Sequence, residues 1–220
     1  MTRELITGQT GFVGYWMTHK TPDSVEWVGG GRDFYDSGLM EYLNDITHIV
    51  HLAPVAPYKV LEWAKKWNAR LLYCSSGIVY YPEVDTRYRH DKLRWENDCL
   101  ESGVDVVIAR LFTFFGERLD GNKAITQFFA NVRKGEPIRM YGDGSTVRTY
   151  MHGRDLGVQM WRILLEGESG QAYDVGSTRK TTIRRLAERI SAFTGARIER
   201  LNVESTVPEY YPRDTRRILD

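Results

Sequence analysis

The chain has 220 residues, of which 42% are apolar and 27% are charged, and its formal net charge is +1. This length and composition favour one globular domain, with at most a small second lobe. The near-zero charge gives no electrostatic reason to expect nucleic acid or an anionic membrane as a partner. No apolar run is long enough to span a bilayer, and no signal peptide or metal-type cysteine pair is evident. We therefore expect a reduced, cytoplasmic protein that holds no metal.

Short apolar runs alternate with amphipathic stretches through the first half of the chain. The predicted strands are 5–7, 25–29, 46–52, 70–75 and 104–111. The predicted helices between them are 11–20, 39–43, 58–67 and 86–101. This alternation is typical of parallel βαβ units with helices on both faces of a sheet. The continuous apolar run within the last strand fits a position buried on both faces.

The pattern changes beyond Leu111. Helices are predicted at 123–134, 155–165 and 182–194, and glycine-rich turns such as 141–145 separate them. We therefore expect a smaller, mixed α/β lobe to follow the doubly wound sheet.

A glycine-rich turn follows the first predicted strand. Residues 6–14 have the sequence Ile-Thr-Gly-Gln-Thr-Gly-Phe-Val-Gly, which places Gly8, Gly11 and Gly14 between a strand and a helix. Such a turn needs a positive φ, and a pyrophosphate approaches the backbone closely only where no Cβ intervenes. The helix N-terminus adds free amide groups and a partial positive charge. An ordinary βα turn is the alternative, but this context favours a Rossmann-type dinucleotide site.

The end of the second predicted strand bears on which dinucleotide binds. An acid usually stands there and binds the ribose hydroxyls of NAD. This chain has Arg32 followed by Asp33 at that place. Arg32 favours NADP, because a guanidinium can pair with the 2′-phosphate. In the alternative, Arg32 is a solvated loop residue, Asp33 binds the ribose and the cofactor is NAD.

A tyrosine and a lysine stand four positions apart in the predicted helix 86–101. Tyr88 and Lys92 therefore share one helix face, and a nearby ammonium favours the phenolate. This makes Tyr88 a candidate acid and base for a hydroxyl proton during hydride transfer with a nicotinamide. An exposed i,i+4 pair without function is the alternative. Ser75 and Ser76 end a predicted strand just upstream, where ligands meet an open α/β sheet.

Seven segments carry a resemblance to a known family. In chain order they are Thr-Gly-x-x-Gly-Phe-x-Gly (7–14), His-Leu-Ala (51–53), Ser-Ser-x-x-Val-Tyr (75–80), Tyr-x-x-x-Lys (88–92), Arg-Leu-Phe-Thr-Phe-Phe-Gly (110–116), Tyr-Gly-Asp-Gly-Ser with Arg-Thr-Tyr (141–150) and Tyr-Asp-Val-Gly (173–176). Together they resemble the extended short-chain dehydrogenase/reductases, in particular the NAD-dependent epimerase/dehydratase family that acts on nucleotide sugars.

The resemblance implies roles for individual residues. The implied catalytic residues are Ser76, Tyr88 and Lys92. The implied cofactor-binding residues are Gly8, Thr10, Gly11, Phe12, Val13, Arg32, Leu52, Ala53, Pro54, Tyr88 and Lys92. The implied substrate-binding residues are Ser76, Thr113 and Arg148, of which Arg148 would hold the substrate diphosphate. The resemblance also implies a nucleotide-sugar substrate and a homodimer.

The same resemblance assigns the fold. We expect an α/β protein with a Rossmann-type, doubly wound parallel sheet over residues 1–112 and 150–176. A small C-terminal mixed α/β lobe that binds substrate is expected over residues 113–149 and 177–220.

The chain also departs from the family pattern. Thr113 stands where the family usually has Asn, and the segments before Ser75 and between Ser76 and Tyr88 are short for the family. The acids that the related 4,6-dehydratases carry beside the catalytic serine are missing from residues 76–78, which favours a 4-epimerase or a keto-sugar reductase. In the alternative, the chain is a non-catalytic dinucleotide-binding or regulatory relative that has lost its substrate pocket.

Overall fold

A computed structural model of the chain describes residues 2–30, 43, 45–119, 121, 123–203 and 209–213. Arg32 and Asp33 lie outside these residues, as does most of the helix predicted at 39–43. The strands of the described residues are β1 (Thr2–Thr7), β2 (Val25–Gly30), β3 (His48–His51), β4 (Arg70–Ser76), β5 (Val106–Leu111), β6 (Phe114–Phe115), β7 (Ile138–Tyr141), β8 (Val147–Thr149), β9 (Met151–His152), β10 (Ala172–Val175), β11 (Lys180–Thr182) and β12 (Ile198–Leu201). The α-helices are α1 (Phe12–Thr18), α2 (Tyr58–Trp67), α3 (Arg87–Leu100), α4 (Ala124–Arg133), α5 (Gly153–Glu166) and α6 (Ile183–Thr194).

One parallel sheet organises the molecule. Among the described residues it has six strands in the order β2-β1-β3-β4-β5-β10. The order reverses at β1, which pairs with β2 on one side and with β3 on the other. At such a reversal the loops after two neighbouring strands run to opposite faces, and a crevice opens at their carboxyl ends. The predicted doubly wound parallel sheet is confirmed.

The two faces of the sheet carry different helices. Alternate residues along each strand point to opposite faces, so one set packs with α1 and α5 and the other with α2 and α3. Ile6 and Leu72 belong to the first cluster, together with Met160 of α5. Leu5 and Leu71 belong to the second cluster. Burial on both sides explains the apolar runs in the middle of these strands, namely 49–50 in β3, 71–74 in β4 and 106–109 in β5.

Two helix glycines bring α1 close to α5. A Cβ at Gly157 would lie 2.6 Å from the carbonyl oxygen of Trp16, and one at Gly153 would overlap the Trp16 indole. Trp161 of α5 reinforces this contact, because its Nε1 donates to the carbonyl oxygen of Met17 at 2.8 Å. The position of α1 matters because this helix begins at the glycine turn.

A smaller apolar cluster lies beyond the sheet. Phe128 of α4, Ile138 of β7 and Ile190 of α6 form its centre. β7 pairs with β12, and β8 pairs with β11. We retain the division into a dinucleotide domain and a substrate lobe, with the limits given above, as a proposal. Within the described ranges, no helix is both long enough and apolar enough to cross a membrane.

We expect Gly157→Ala to destabilise the protein by about 1–3 kcal/mol, because the added methyl group forces α5 away from the Trp16 backbone. Helix propensity alone would predict the opposite sign, since alanine stabilises a helix interior relative to glycine. Urea unfolding measures the difference. Val158→Ala, on the exposed side of α5, is the control and should change stability by less than about 0.5 kcal/mol. Equal stability of Gly157→Ala and wild type would contradict the close packing.

Candidate active site

The glycine turn lies against the end of β3. Gly8 has a φ of +77°, and a Cβ there would lie 3.0 Å from the amide nitrogen of Ala53. The Gly11 amide donates to the Gly8 carbonyl at 3.0 Å and closes the turn. A Cβ at Gly14 would lie 2.6 Å from the Gly8 carbonyl oxygen. Gly8 and Gly14 therefore satisfy the steric demand that the sequence predicts, whereas a Cβ at Gly11 would lie 3.3 Å from the Gly8 carbonyl oxygen, which is tight but not excluded.

The start of α1 is open to an anion. Gly11 occupies the N-cap position and has no side chain to bind the first-turn amides. Those amides lie at the switch point of the sheet, beside the loop that follows β3. This is the geometry with which an α/β fold holds a pyrophosphate.

His51 connects the ends of β1 and β3. Its Nε2 lies 3.0 Å from the Val55 carbonyl oxygen, which can only accept, so this nitrogen carries the proton. The Nδ1 therefore accepts from the Thr7 hydroxyl at 2.9 Å. Burial lowers the pKa of His51 to about 4; the Val55 hydrogen bond opposes this shift, and the charge of Lys92 adds to it. His51 is thus a neutral structural link below the glycine turn.

A cavity of about 290 Å³ opens at the carboxyl ends of β3, β4 and β5. Its volume is at the lower end of the range for small-molecule sites, which is roughly 300–1,000 Å³. The residues that line it are Leu52, Pro54, Cys74, Ser75, Ser76, Tyr88, Lys92, Leu111, Phe112, Thr113, Phe114, Lys123 and Tyr210. The structure therefore brings together Leu52, Pro54, Ser76, Tyr88, Lys92 and Thr113, all of which the sequence predicts.

Helix α3 supplies the tyrosine and the lysine of this cavity. The Thr86 hydroxyl caps the helix by accepting from the Arg89 amide at 3.3 Å. Tyr88 is half-exposed, whereas Lys92 is buried one turn later. The Lys92 ammonium donates to the Cys74 carbonyl at 2.7 Å and to the Tyr73 hydroxyl at 3.3 Å. These bonds fix Lys92 against β4.

The structure corrects the predicted electrostatic effect of Lys92 on Tyr88. Burial raises the pKa of Tyr88; the Ser76 hydroxyl acts to lower it and Cys74 to raise it further. The Lys92 Nζ lies 6.0 Å from the centre of the Tyr88 ring and donates to β4 instead. Burial also lowers the pKa of Lys92. Helical spacing placed both side chains on one face, but it carried no information about their burial.

Lys123 is a cavity residue for which the sequence assigned no role beyond the start of a helix. Its Nζ lies 3.4 Å from the centre of the Phe114 ring, and Phe114 stacks on Phe12 at 4.9 Å. Burial lowers the pKa of Lys123 to about 8. Phe12, predicted for the cofactor site, therefore connects the glycine turn with the wall of the cavity.

A buried polar network supports the cavity from behind. The Arg110 guanidinium donates through Nε and Nη2 to the Glu96 carboxylate, which also accepts from Ser75. Its Nη1 donates to the Tyr80 hydroxyl at 2.7 Å. Tyr80 in turn donates to Asp174 of β10 at 3.0 Å. Burial acts to lower the pKa of Arg110, but the Glu96 carboxylate outweighs it and raises the pKa. The network joins α3, β4, β5 and β10.

Arg148, the predicted diphosphate ligand, adjoins the cavity rather than lining it. It lies on β8 and forms an isolated parallel bridge with Tyr210. Burial lowers its pKa, while nearby tyrosines act to raise it. Tyr210 itself lines the cavity and was missed by the sequence analysis, since nothing local signals its return to the sheet. No group of metal-ligating side chains occurs in the described part of the chain.

Comparisons with known proteins agree with this architecture. A sequence model described as the NAD dependent epimerase/dehydratase family matches residues 35–176, more than half of the chain. UDP-glucuronic acid decarboxylase 4 of Arabidopsis thaliana is 28% identical over 61% of this chain and 35% of its own length. UDP-glucuronic acid decarboxylase 1 of Danio rerio is 27% identical over 89% of this chain and 61% of its own length. The chain thus spans less than two thirds of these relatives.

A solved structure shares the fold. The UDP-glucuronic acid 4-epimerase from Bacillus cereus, in complex with NAD, superposes with a TM-score of 0.80 at 19% identity. The match covers 91% of this chain and 86% of the other chain. At this identity the likeness concerns the fold alone.

We expect His51 to make stability depend on pH between about 6.5 and 4. In this window the unfolded chain takes up a proton at His51 and the folded protein does not, so the free energy of unfolding falls as the pH falls. In His51→Gln the decline across this window should be shallower, by up to about 3 kcal/mol.

Urea unfolding of both proteins in steps from pH 8 to pH 4 checks this expectation. The region above pH 7 is the internal control, because the two curves should run parallel there. Curves that stay parallel down to pH 4 would exclude a buried neutral His51.

Proposed function

Because the chain belongs to the NAD-dependent epimerase/dehydratase family, we propose that it is an enzyme that uses a nicotinamide dinucleotide to oxidise and re-reduce a nucleotide-linked sugar. The observation that carries this proposal is the cavity in which Ser76, Tyr88 and Lys92 meet. It lies at the carboxyl ends of parallel strands and next to a glycine turn, where α/β enzymes bind their ligands.

The residues around the glycine turn fit a dinucleotide. Gly8 and Gly11 allow a pyrophosphate to approach the backbone, and the open N-terminus of α1 faces the same crevice. Thr10, Phe12 and Val13 continue the turn on one side, and the loop 52–54 forms the other wall. A nicotinamide bound there supplies a hydride donor and acceptor. NAD is supported by the solved 4-epimerase from Bacillus cereus, which contains it.

Tyr88 is the proposed acid and base. Its raised pKa keeps the phenol protonated near neutral pH in the structure described here. It can therefore donate this proton to the oxygen of a keto sugar and take a proton from a sugar hydroxyl in the reverse direction. Ser76 would orient the same oxygen, and Thr113 would contact the sugar. Arg148 is proposed for the diphosphate, at the side of the cavity that Tyr210 closes.

The chemical groups that line the cavity favour some types of reaction over others. Its described residues provide hydroxyl and ammonium groups but no carboxylate. Glu96 is engaged by Arg110 behind the cavity wall. An elimination of water needs an acid and a base beside the reacting carbons, and a carboxylate is a common choice. We therefore favour a 4-epimerase or a keto-sugar reductase over a dehydratase.

The assembly of the protein is part of the same proposal. Apolar side chains on the outer faces of α2 and α3 are exposed, among them Tyr58, Leu93 and Leu100. A homodimer that pairs these two helices would cover them.

One observation favours a second candidate, a dinucleotide-binding protein without catalysis. The cavity is small, and the Ser76 hydroxyl already has a hydrogen-bond partner, Tyr210, at 3.0 Å. Such a protein would bind the dinucleotide as a signal or as a subunit. Turnover of a sugar separates the two candidates.

We expect Tyr88→Phe to reduce turnover by at least about 100-fold, the usual contribution of a general acid or base. The assay supplies NAD or NADP with hydroxyl or keto forms of nucleotide-linked sugars, and it follows the nicotinamide absorbance. Binding of the dinucleotide, read as a rise in melting temperature, should be retained.

Tyr141→Phe is the matched control, since Tyr141 is an exposed tyrosine on β7, outside the cavity lining. It should keep full activity. A wild-type protein that turns over no sugar in the panel, or a Tyr88→Phe variant with unchanged rates, would favour the non-catalytic candidate.

We propose that the cofactor preference lies with NADP and rests on Arg32. In a thermal-shift titration, NADP should then raise the melting temperature more than NAD at equal concentration. Arg32→Ala should abolish this difference, because the pairing with the 2′-phosphate is lost. Arg139→Ala, on β7, should preserve it. An unchanged NADP preference in Arg32→Ala, or a preference of the wild type for NAD, would refute this role.

A further inference from the structure

The Ser76 hydroxyl stands in a short chain of hydrogen bonds. Its Oγ lies 3.0 Å from the Tyr210 hydroxyl oxygen and accepts from the Ile78 amide at 3.3 Å. The Tyr210 hydroxyl oxygen lies 2.9 Å from the Leu111 carbonyl oxygen. Ser76, at the end of β4, is therefore linked through Tyr210 to Leu111, at the end of β5.

The direction of these bonds follows from the groups involved. A carbonyl oxygen only accepts, so the Tyr210 hydroxyl donates its single proton to Leu111. Tyr210 then has no second proton to give, so the Ser76 hydroxyl donates to Tyr210, and the same proton can stabilise the Tyr88 phenolate only if this bond is given up. The Ile78 amide uses one lone pair of Ser76. In this state Ser76 can bind a ligand only by accepting a hydrogen bond at its second lone pair.

Tyr210 is held firmly enough to impose this direction. Its amide donates to the Val147 carbonyl at 3.1 Å, and its ring packs 5.0 Å from the Phe112 ring. The Tyr81 hydroxyl contacts the amide and the carbonyl oxygen of Tyr211, the next residue. Burial raises the pKa of Tyr210, so its hydroxyl keeps its proton across the working pH range.

We propose that Tyr210 is a positioning residue, whose hydroxyl holds the Ser76 proton away from the substrate and so makes Ser76 an acceptor. This inference rests on the proposed function, because the substrate oxygen is the group that meets Ser76. A sugar hydroxyl can donate to the remaining lone pair of Ser76. A sugar carbonyl has no proton to donate, and Ser76 can bind it only by giving up its bond to Tyr210.

The consequence is a bias between the two oxidation states of the bound sugar. Oxidation moves the carbon-bound hydrogen to the nicotinamide as hydride and the hydroxyl proton to Tyr88, which has to be in its phenolate form to accept it, and it leaves a carbonyl. Because Tyr210 competes for the Ser76 proton, this carbonyl is bound less well than the hydroxyl. Tyr210 therefore favours the hydroxyl form and limits the accumulation of a keto sugar with reduced cofactor.

Tyr210→Phe removes the hydroxyl and keeps the ring. With saturating dinucleotide and a sugar that the wild type turns over, the ratio of reduced to oxidised bound nicotinamide should rise by about two- to tenfold, the equivalent of one net hydrogen bond. Tyr141→Phe is the matched control, since Tyr141 is exposed on β7 and lies outside the cavity lining, and its ratio should equal that of the wild type. Tyr210→Met is a second variant without the hydroxyl, in case the first folds poorly.

The Ser76→Ala variant tests whether Tyr210 changes the nicotinamide ratio through Ser76. In the Ser76→Ala background, Tyr210→Phe should change the ratio no further. The effects of Ser76→Ala and Tyr210→Phe on urea unfolding without cofactor should also be non-additive, because each change breaks the same bond.

A ratio in Tyr210→Phe that equals that of the wild type, or a further rise in the Ser76→Ala background, would overturn the role of Tyr210. Additive effects on unfolding would overturn it as well. If the wild type reduces no dinucleotide with any sugar, the proposed function fails, and this inference fails with it. Failure of the proposed function is detected with the wild type alone, whereas failure of the Tyr210 inference is detected by comparing variants with an active wild type. The two failures are therefore distinguishable.

Discussion

The buried ion pair between Glu96 and Arg110 is the interaction on which the rest of the site depends. Glu96 lies on α3 and is 2% exposed, so its charge has to be matched inside the protein. Arg110 of β5 matches it with two donors and uses a third on Tyr80. Ser75, next to the serine of the site, donates to the same carboxylate. The pair thereby fixes the helix of Tyr88 against the strand that ends in Ser76.

The two halves of the site present different chemical groups. The half proposed for the dinucleotide consists of backbone, because the close contacts of Gly8 and Gly14 exclude side chains. The half proposed for the reaction consists of side-chain hydroxyl and ammonium groups at the ends of β4, β5 and α3. Phe12, stacked on Phe114, is one point where they touch.

Local chemistry explains which parts of the fold and site could be predicted from sequence. The glycine turn depends on residues a few positions apart, and the i,i+4 spacing of Tyr88 and Lys92 is likewise local. Both were predicted, as were five of the six described strands of the sheet; β10 was not. Spacing says nothing of burial, so the predicted effect of Lys92 on the Tyr88 pKa was wrong. Tyr210 was missed for a related reason: its partner is 134 positions away, and no periodic pattern records such a contact.

The distance between Ser76 and Tyr210 along the chain has a consequence for the order in which parts of the protein fold. During synthesis, β1 to β5 and α3 leave the ribosome well before residue 210 does, and contacts between near neighbours in sequence form first. The glycine turn and the Tyr88 helix can thus take their places while Ser76 still lacks Tyr210. The crevice proposed for the dinucleotide can therefore form before the contact between Ser76 and Tyr210, which has to wait until residue 210 is available.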